Sequence, residues 1–355
     1  MRIAAARLIA YRLPLLQPWR SGQGRCHVRE GWWIRLEAAD GTAGHGDAAP
    51  WPAAGTEPPA RSLAWLAPYL RGLEGATVRG AVEALPEDAP PAARCGVETA
   101  LLDLLSRDSA IGLDRWLNPE AGASVAVNAA AGTLTDLTPD GLLRIAKAGY
   151  PVAKLKVGLA PWREELTLLH RLAMDLPPGL RLRLDANRAW SPREADAMLD
   201  ALADLPVEAV EEPLADPDPA GLDRLQRRCP FPIAVDESLR NIDPDALLAS
   251  PPCRRLVLKP TREGGLRRTV ELARRAQAAG MEAVITTLLE SAIGGHASAH
   301  VARAVDDPGR PLAHGLDTGR WLRRDLAAPP TAIHGHLTAP ATPGLGVDPQ
   351  LETEA

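Results

Sequence analysis

The chain of 355 residues, 46% hydrophobic and 24% charged with a net charge of −5, is longer than one compact domain and shorter than three, and its balance excludes a disordered chain. Its 40 basic and 45 acidic residues are interleaved, so no basic arm or stripe offers itself to nucleic acid, and its apolar runs break well short of membrane-spanning length. Cys26, Cys95, Cys229 and Cys253 are dispersed without a Cys-x-x-Cys pair, which suggests neither a zinc ribbon nor a disulfide framework. Arg7 interrupts the first apolar stretch too early for a signal peptide, so a cytoplasmic location is expected.

In chain order, Gly31–Glu37 closed by Asp40-Gly41 predicts a strand running into a hairpin turn. A Pro-rich stretch from Pro50 to Pro59 leads to helical patterns, clearest over Val97–Leu105. A sheet followed by helices predicts an α+β unit, here residues 1–110. From Ser124 onward short strands alternate with amphipathic stretches. Strands are predicted at Val125–Asn128, Val152–Val157, Leu182–Asp185, Ala209–Glu212, Ile233–Asp236, Leu256–Lys259, Ala283–Thr286 and Leu312–His314. Helices are predicted at Pro192–Ala203 and Leu266–Ala279, the second stopped by Gly280. Eight strands in this alternation predict a (β/α)8 barrel over residues 111–325. A doubly wound sheet would need a Gly-rich phosphate turn after its first strand, and Asn128–Gly132 supplies none. Residues 326–355, with Pro340, Pro343, Gly344 and Gly346, predict an irregular tail packed back on the first unit.

Residues at the C-terminal ends of barrel strands share one mouth. The second strand ends in Lys154-Leu155-Lys156, whose lysines face the same side. The third ends at Asp185, the fourth at Glu211-Glu212-Pro213, the fifth at Asp236-Glu237-Ser238 and the sixth at Lys259-Pro260. The steps from Asp185 to Glu211, Asp236 and Lys259 are 26, 25 and 23 residues, one strand-plus-helix unit each. A lone Asp at a strand end is as often a turn former, and a lone Lys-x-Lys a solvated edge. Five successive strand ends at matched spacing set those readings aside. Three converging carboxylates repel unless a cation joins them, and an all-oxygen set selects Mg²⁺, with Mn²⁺ as a substitute, over zinc. A lysine beside that charge is pushed towards neutrality and can act as a base. Cation and ammonium together can hold the oxygens of an enediolate formed next to a carboxylate.

Lys154-Leu155-Lys156, Arg183–Asn187, Val210–Pro213, Asp236–Ser238 and Lys259-Pro260 resemble the enolase superfamily, muconate-lactonizing subgroup, over nearly the whole chain. Gly44–Pro50 resembles the capping-domain motif of that family, with Asp47 where Glu is commoner, and Gly344–Val347 resembles its ending. The resemblance implies a modified (β/α)8 TIM-type barrel under an N-terminal α+β capping domain. It implies metal ligands at Asp185, Glu211 and Asp236, with Glu212 turned away by strand alternation. Lys156 and Lys259 would face each other across a small-molecule carboxylate substrate, Lys154 would modulate Lys156, and Arg183, Asn187, Thr286 and Glu290 would contact the substrate.

Leu256–Thr261, Thr286–Ser291 and His314–Gly319 resemble the o-succinylbenzoate synthases within the subgroup. The last segment lacks the Asp-x-Asp by which dipeptide epimerases hold an ammonium. The implied activity is dehydration of 2-succinyl-6-hydroxy-2,4-cyclohexadiene-1-carboxylate in menaquinone biosynthesis, with N-succinylamino acid racemisation or dipeptide epimerisation as the alternative. An inactive barrel serving as a binding module would have lost a lysine or a metal ligand, and none is missing. The Gly-rich stretch Trp19–Arg25 suits a lid whose Arg25 or Arg20 meets the succinyl carboxylate. His296 and His300, i and i+4 on one helix, are expected on a solvated face.

Overall fold

The computed structural model describes residues 1–21 and 24–350, without the side chains of 20–25. The N-terminal unit is an antiparallel sheet in the order β1 (Ile3–Ser21), β2 (Gly24–Ala38), β3 (Ala43–Ala48), followed by helices α1 (Pro59–Arg71), α2 (Val78–Glu83) and α3 (Pro91–Asp108). Alternation along β2 buries Ile34, Leu36 and Ala38 on one face. On the other, Arg35 donates to Glu37 at 2.5 Å. The predicted turn closes at Asp40-Gly41, where Gly41 has φ +87° and Asp40 Oδ1 accepts from Thr42 N at 2.9 Å. Gly46 lies on α3 so closely that a Cβ there would come within 1.8 Å of the Gly96 carbonyl oxygen. Only a residue without a side chain fits.

After α4 (Leu113–Leu117), β4 (Ser124–Ala126) is followed by β5 (Ala129–Thr133), α5 (Pro139–Lys147), β6 (Val152–Lys156), α6 (Trp162–Met174), β7 (Arg181–Asp185), α7 (Pro192–Leu202) and β8 (Val207–Glu211). Then come α8 (Pro219–Arg228), β9 (Ile233–Val235), α9 (Pro244–Ala249), β10 (Arg255–Leu258), α10 (Pro260–Glu263), α11 (Leu266–Ala278), β11 (Glu282–Ile285), α12 (Ala292–Val305) and β12 (His336–Thr338). Strands β5 to β11 form one parallel sheet in sequence order, in which buried aliphatic residues such as Leu155, Leu182, Leu184 and Val210 alternate with the charged residues that face the barrel axis. Local signals place the helices: Ser191 and Glu194 form a capping box ahead of α7, with Pro192 in its first turn.

Two predicted strands differ from expectation. The first is divided: β4 pairs antiparallel with β12 of the tail, Val125 opposite Leu337, and the parallel strand starts only at Ala129. Burial of Val125 and Val127 made the stretch read as one element. The eighth is reduced to single bridges. His314 N donates to Ala126 O and Asn128 N to His314 O, both at 2.9 Å, and Gly315 N donates to Ile285 O at 2.9 Å. These bonds close the modified barrel. The predicted loop at Trp19–Arg25 is largely hairpin, with Trp19 opposite Cys26 and Arg20 opposite Arg25.

α12 is buried along nearly its whole length, so His300 is not on a solvated face as expected, and His296 is half-buried with its Nε2 3.1 Å from Ala328 O. His300 Nδ1 accepts from Asp114 N at 3.0 Å and its Nε2 meets Leu345 O at 3.1 Å, while Arg303 donates to Asp114 at 2.5 Å. Helix α4 and the tail cover what would otherwise face water.

The N-terminal end of the barrel is filled by charge. Glu208 accepts from Arg183 Nε at 2.8 Å and from Arg255 Nη1 at 2.9 Å. Burial would raise the Glu208 carboxyl, but the two guanidiniums hold it well below the ordinary range. Its stabilisation is therefore complete above the ordinary glutamate pKa of about 4.3 and is lost as pH falls through the depressed folded value. Glu208→Gln leaves two buried arginines undercompensated and should cost about 3 kcal/mol in urea unfolding at neutral pH. An unchanged midpoint would refute this.

Candidate active site

The strand register brings the predicted groups together. Lys156, Asp185 and Glu211 are successive cross-strand partners at the C-terminal ends of β6, β7 and β8, Asp236 follows β9, and Lys259 follows β10. They surround or adjoin a cavity of about 910 Å³ lined by Lys154, Lys156, Asp185, Asn187, Asp236 and Lys259. Trp19, Trp51 and Ala54 reach into it from the N-terminal unit.

Lys154 Nζ lies 3.1 Å from Asp185 Oδ2 and also donates to Glu211 Oε2. Lys156 Nζ donates to Asn187 Oδ1 at 2.6 Å and to Asp185 Oδ2 at 3.4 Å. Lys259 donates to Asp236 Oδ1, which also accepts from Arg262 Nη1 at 2.6 Å. Asn187 passes the chain on, its Nδ2 donating to Glu237 Oε1 at 2.7 Å.

Burial alone would lower the Lys154 ammonium, but the charges of Asp185, Glu211 and Asp236 outweigh it and hold the group firmly protonated. Burial would likewise raise Asp185 and Asp236. Lys154 and Lys156 keep the first low, and Lys259 and Arg262 the second. Glu237, also buried, is raised, with Asp236 and Asp185 adding to the effect. Glu211 Oε1, Glu237 Oε2 and Thr286 Oγ1 are buried without a hydrogen-bond partner. Among the described residues, no three His, Cys, Asp or Glu side chains converge as a ready metal cluster. Each carboxylate instead spends oxygens on neighbouring cations.

The expected substrate contacts divide. Asn187 and Thr286 line the cavity. Arg183 does not: it is fully buried beneath the site, bonded to Glu208, Asn128 Oδ1 and Ala313 O, because its place in β7 lies two residues below the mouth. Glu290 does not either. The strand ends at Ile285, the turn behind it puts Leu289 at φ +60°, and the Glu290 carboxylate accepts from Thr261 Oγ1 at 2.7 Å and Leu288 N at 2.6 Å. The Arg25 side chain, and the lid centred on Gly22 and Gln23, lie outside the described residues. Glu212 stays out of the cavity lining, accepting from Asp236 N at 2.6 Å and Ser238 Oγ at 2.5 Å. Burial, then the charge of Glu237, pushes it up to about 7.

Glu237 and Arg262 line the cavity and were not singled out from sequence. Glu237 opens a 3-10 turn after β9, so strand alternation no longer turns it away. Arg262 sits three residues after Lys259 on α10, one helical turn along, and that spacing was the available signal.

Residues 141–353 match the family described as enolase C-terminal domain-like. Muconate cycloisomerase 1 of Pseudomonas putida is 30% identical over 330 residues, 88% of this chain and 86% of that protein. The o-succinylbenzoate synthase of Edwardsiella ictaluri is 30% identical over 336 residues, 90% of this chain and 92% of that protein. The solved L-Ala-D/L-Glu epimerase of Bacillus subtilis shares the fold with a TM-score of 0.86 at 22% identity, over 98% of this chain and 99% of that one. Sheet order, strand-end chemistry and these relatives agree: the chain belongs to the enolase superfamily, in its muconate-lactonizing subgroup.

Proposed function

We propose that the chain is a magnesium-dependent o-succinylbenzoate synthase, removing a proton next to a carboxylate and expelling the neighbouring hydroxyl as water. The observation that carries this choice within the subgroup is at the eighth strand. Asp317 is the only acidic residue in His314–Gly319, and its carboxylate already accepts from Tyr150 Oη at 2.6 Å and pairs with Arg320 at 3.2 Å. Asp317 lines the cavity with both of these partners, but it is a single, already paired carboxylate and not the Asp-x-Asp pair with which a dipeptide epimerase holds a substrate ammonium.

A hard divalent cation fits the residues present. The donors at Asp185, Glu211 and Asp236 are all oxygen, they stand at the ends of neighbouring strands, and Glu211 Oε1 is buried with no hydrogen-bond partner, the Arg183 guanidinium lying 4.0 Å away. When bound, magnesium supplies fixed positive charge against the oxygens of the substrate carboxylate. Lys156, held by Asn187, takes the proton from the carbon next to that carboxylate, and the released electron pair becomes the new ring double bond. The same amine returns the proton to the departing hydroxyl, which leaves as water. Lys259, four strands round the sheet from Lys156, remains an ammonium and stabilises the enediolate. Lys154, tied to Asp185 and Glu211, keeps a fixed positive charge at the same strand end as Lys156.

A panel with Mg²⁺ and the cyclohexadiene acid, an N-succinylamino acid, an L-Ala-L-Glu type dipeptide and cis,cis-muconate tests the proposal. Dehydration of the cyclohexadiene acid should exceed every other turnover by at least about tenfold in kcat/KM. Rapid dipeptide epimerisation without dehydration would overturn the assignment.

A further inference from the structure

Arg29 lies in β2, outside the ring of lysines and carboxylates, with 4% of its surface exposed. Among the described residues no carboxylate pairs with it. It spends its hydrogen bonds on three backbone carbonyls: Ala49 at 2.9 Å and Pro50 at 3.3 Å in the N-terminal unit, and Leu289 at 3.1 Å in the barrel. Its guanidinium also lies 4.8 Å from the ring centroid of Trp51. The buried Asp47 and Glu290 carboxylates beyond its hydrogen-bond shell feel and offset its charge, while the direct contacts are carbonyls, and a lysine could not present a planar fork to two segments at once.

Both segments are walls of the cavity, through Trp51 on one side and Leu288 and Leu289 on the other. Leu289 holds φ +60°, a conformation disfavoured for a leucine that persists only where its surroundings fix it. Arg29 fixes its carbonyl. Two residues on, Asp47 accepts from Ser291 N at 3.0 Å and Ser291 Oγ at 2.6 Å while also accepting from Tyr11 Oη at 2.6 Å. The turn after β11 is thus tied to the N-terminal sheet at Leu289 and again at Ser291.

We propose that Arg29 is a positioning residue that joins the Trp51 turn to the Leu289 turn and thereby sets the width of the cavity between them. It touches no reacting atom, and the proposal holds whichever acid the site accepts.

Arg29→Met removes charge and fork; Arg29→Lys keeps the charge alone. By hydrogen exchange with mass spectrometry on the full chain, both variants should exchange at least about tenfold faster than wild type in peptides covering 49–56 and 286–292, with α7 and α8 unchanged. With whichever substrate the panel identifies, KM should rise about tenfold while kcat falls less than about threefold, the Lys variant lying between wild type and Met. Exchange requires no substrate, so it decides even if every panel acid fails. If Arg29→Met does not fold, Arg29→Lys carries the test. Unchanged exchange over 286–292 in a folded variant, or a lower kcat at constant KM, would overturn the proposal.

Discussion

Lys156→Ala is expected to reduce kcat for the cyclohexadiene acid by more than about 10⁴-fold, beyond the roughly 10²–10⁴ typical of acid–base assistance alone. The excess arises because Lys156 also pairs with Asp185 and holds Asn187, so its removal disturbs the anionic site as well as the base. Lys259→Ala should be comparably damaging, since the enediolate would then be a buried anion lacking its ammonium. Isotope exchange separates the two roles. If Lys156 is the sole base, Lys259→Ala still washes deuterium from D₂O slowly into unreacted substrate, whereas Lys156→Ala washes in none. An N-succinylamino acid that gains α-deuterium with inversion in wild type would instead require both lysines to exchange protons. A Lys156→Ala variant retaining a tenth of the wild-type rate would refute the assignment of the base.

Asp236→Asn should abolish turnover and the stabilisation of the protein by magnesium. A ligand at about one hundred times its Kd stabilises the folded state by about 2.7 kcal/mol, so wild type should show a Tm rise of a few degrees that chelator reverses. The Asn variant should show none. Without metal, Asp236 also neutralises Lys259 and Arg262. That contribution is complete above the ordinary Asp pKa of about 3.9 and is lost as pH falls through its depressed folded value. The variant should therefore remain folded at neutral pH with a lower Tm than metal-free wild type. A variant whose Tm still rises with magnesium would show that Asp236 is not a ligand.

Much of this site was legible because a barrel converts sequence period into position. Lys154, Lys156, Asp185, Glu211, Asp236 and Lys259 could be read as neighbours from their recurrence at strand ends. Reading failed beyond the strand ends, where Glu237 had no assigned role and Glu290 was placed by resemblance alone. Glu237 enters the cavity because β9 stops at Val235, and Glu290 leaves it because β11 stops at Ile285. Arg183 was misplaced for a related reason, since its height on β7 puts it among buried ion pairs. Arg29 left no local trace at all, because the Leu289 carbonyl it holds lies 260 residues further along the chain. The first and last barrel strands were blurred by partners, β12 and the residues around His314, that no local pattern announces.

The contact of Gly46 on Gly96 bears on how a substrate reaches the lysines. Helix α3 is buried on almost every side from Ala92 to Ser106. On the barrel side Arg94 donates to Gly264 O and Glu98 accepts from Arg267 at 2.9 Å, while Leu345 N of the tail donates to Asp103 at 2.8 Å. The close contact makes the sheet and α3 one body, and the bonds of Arg94, Glu98 and Asp103 tie that body to the barrel and the tail. Swinging one from the other would break every one of these bonds before the cavity widened. A substrate is therefore expected to reach the lysines past Trp19 and Trp51, which line the cavity, while the helix and the turn held by Arg29 stay in place.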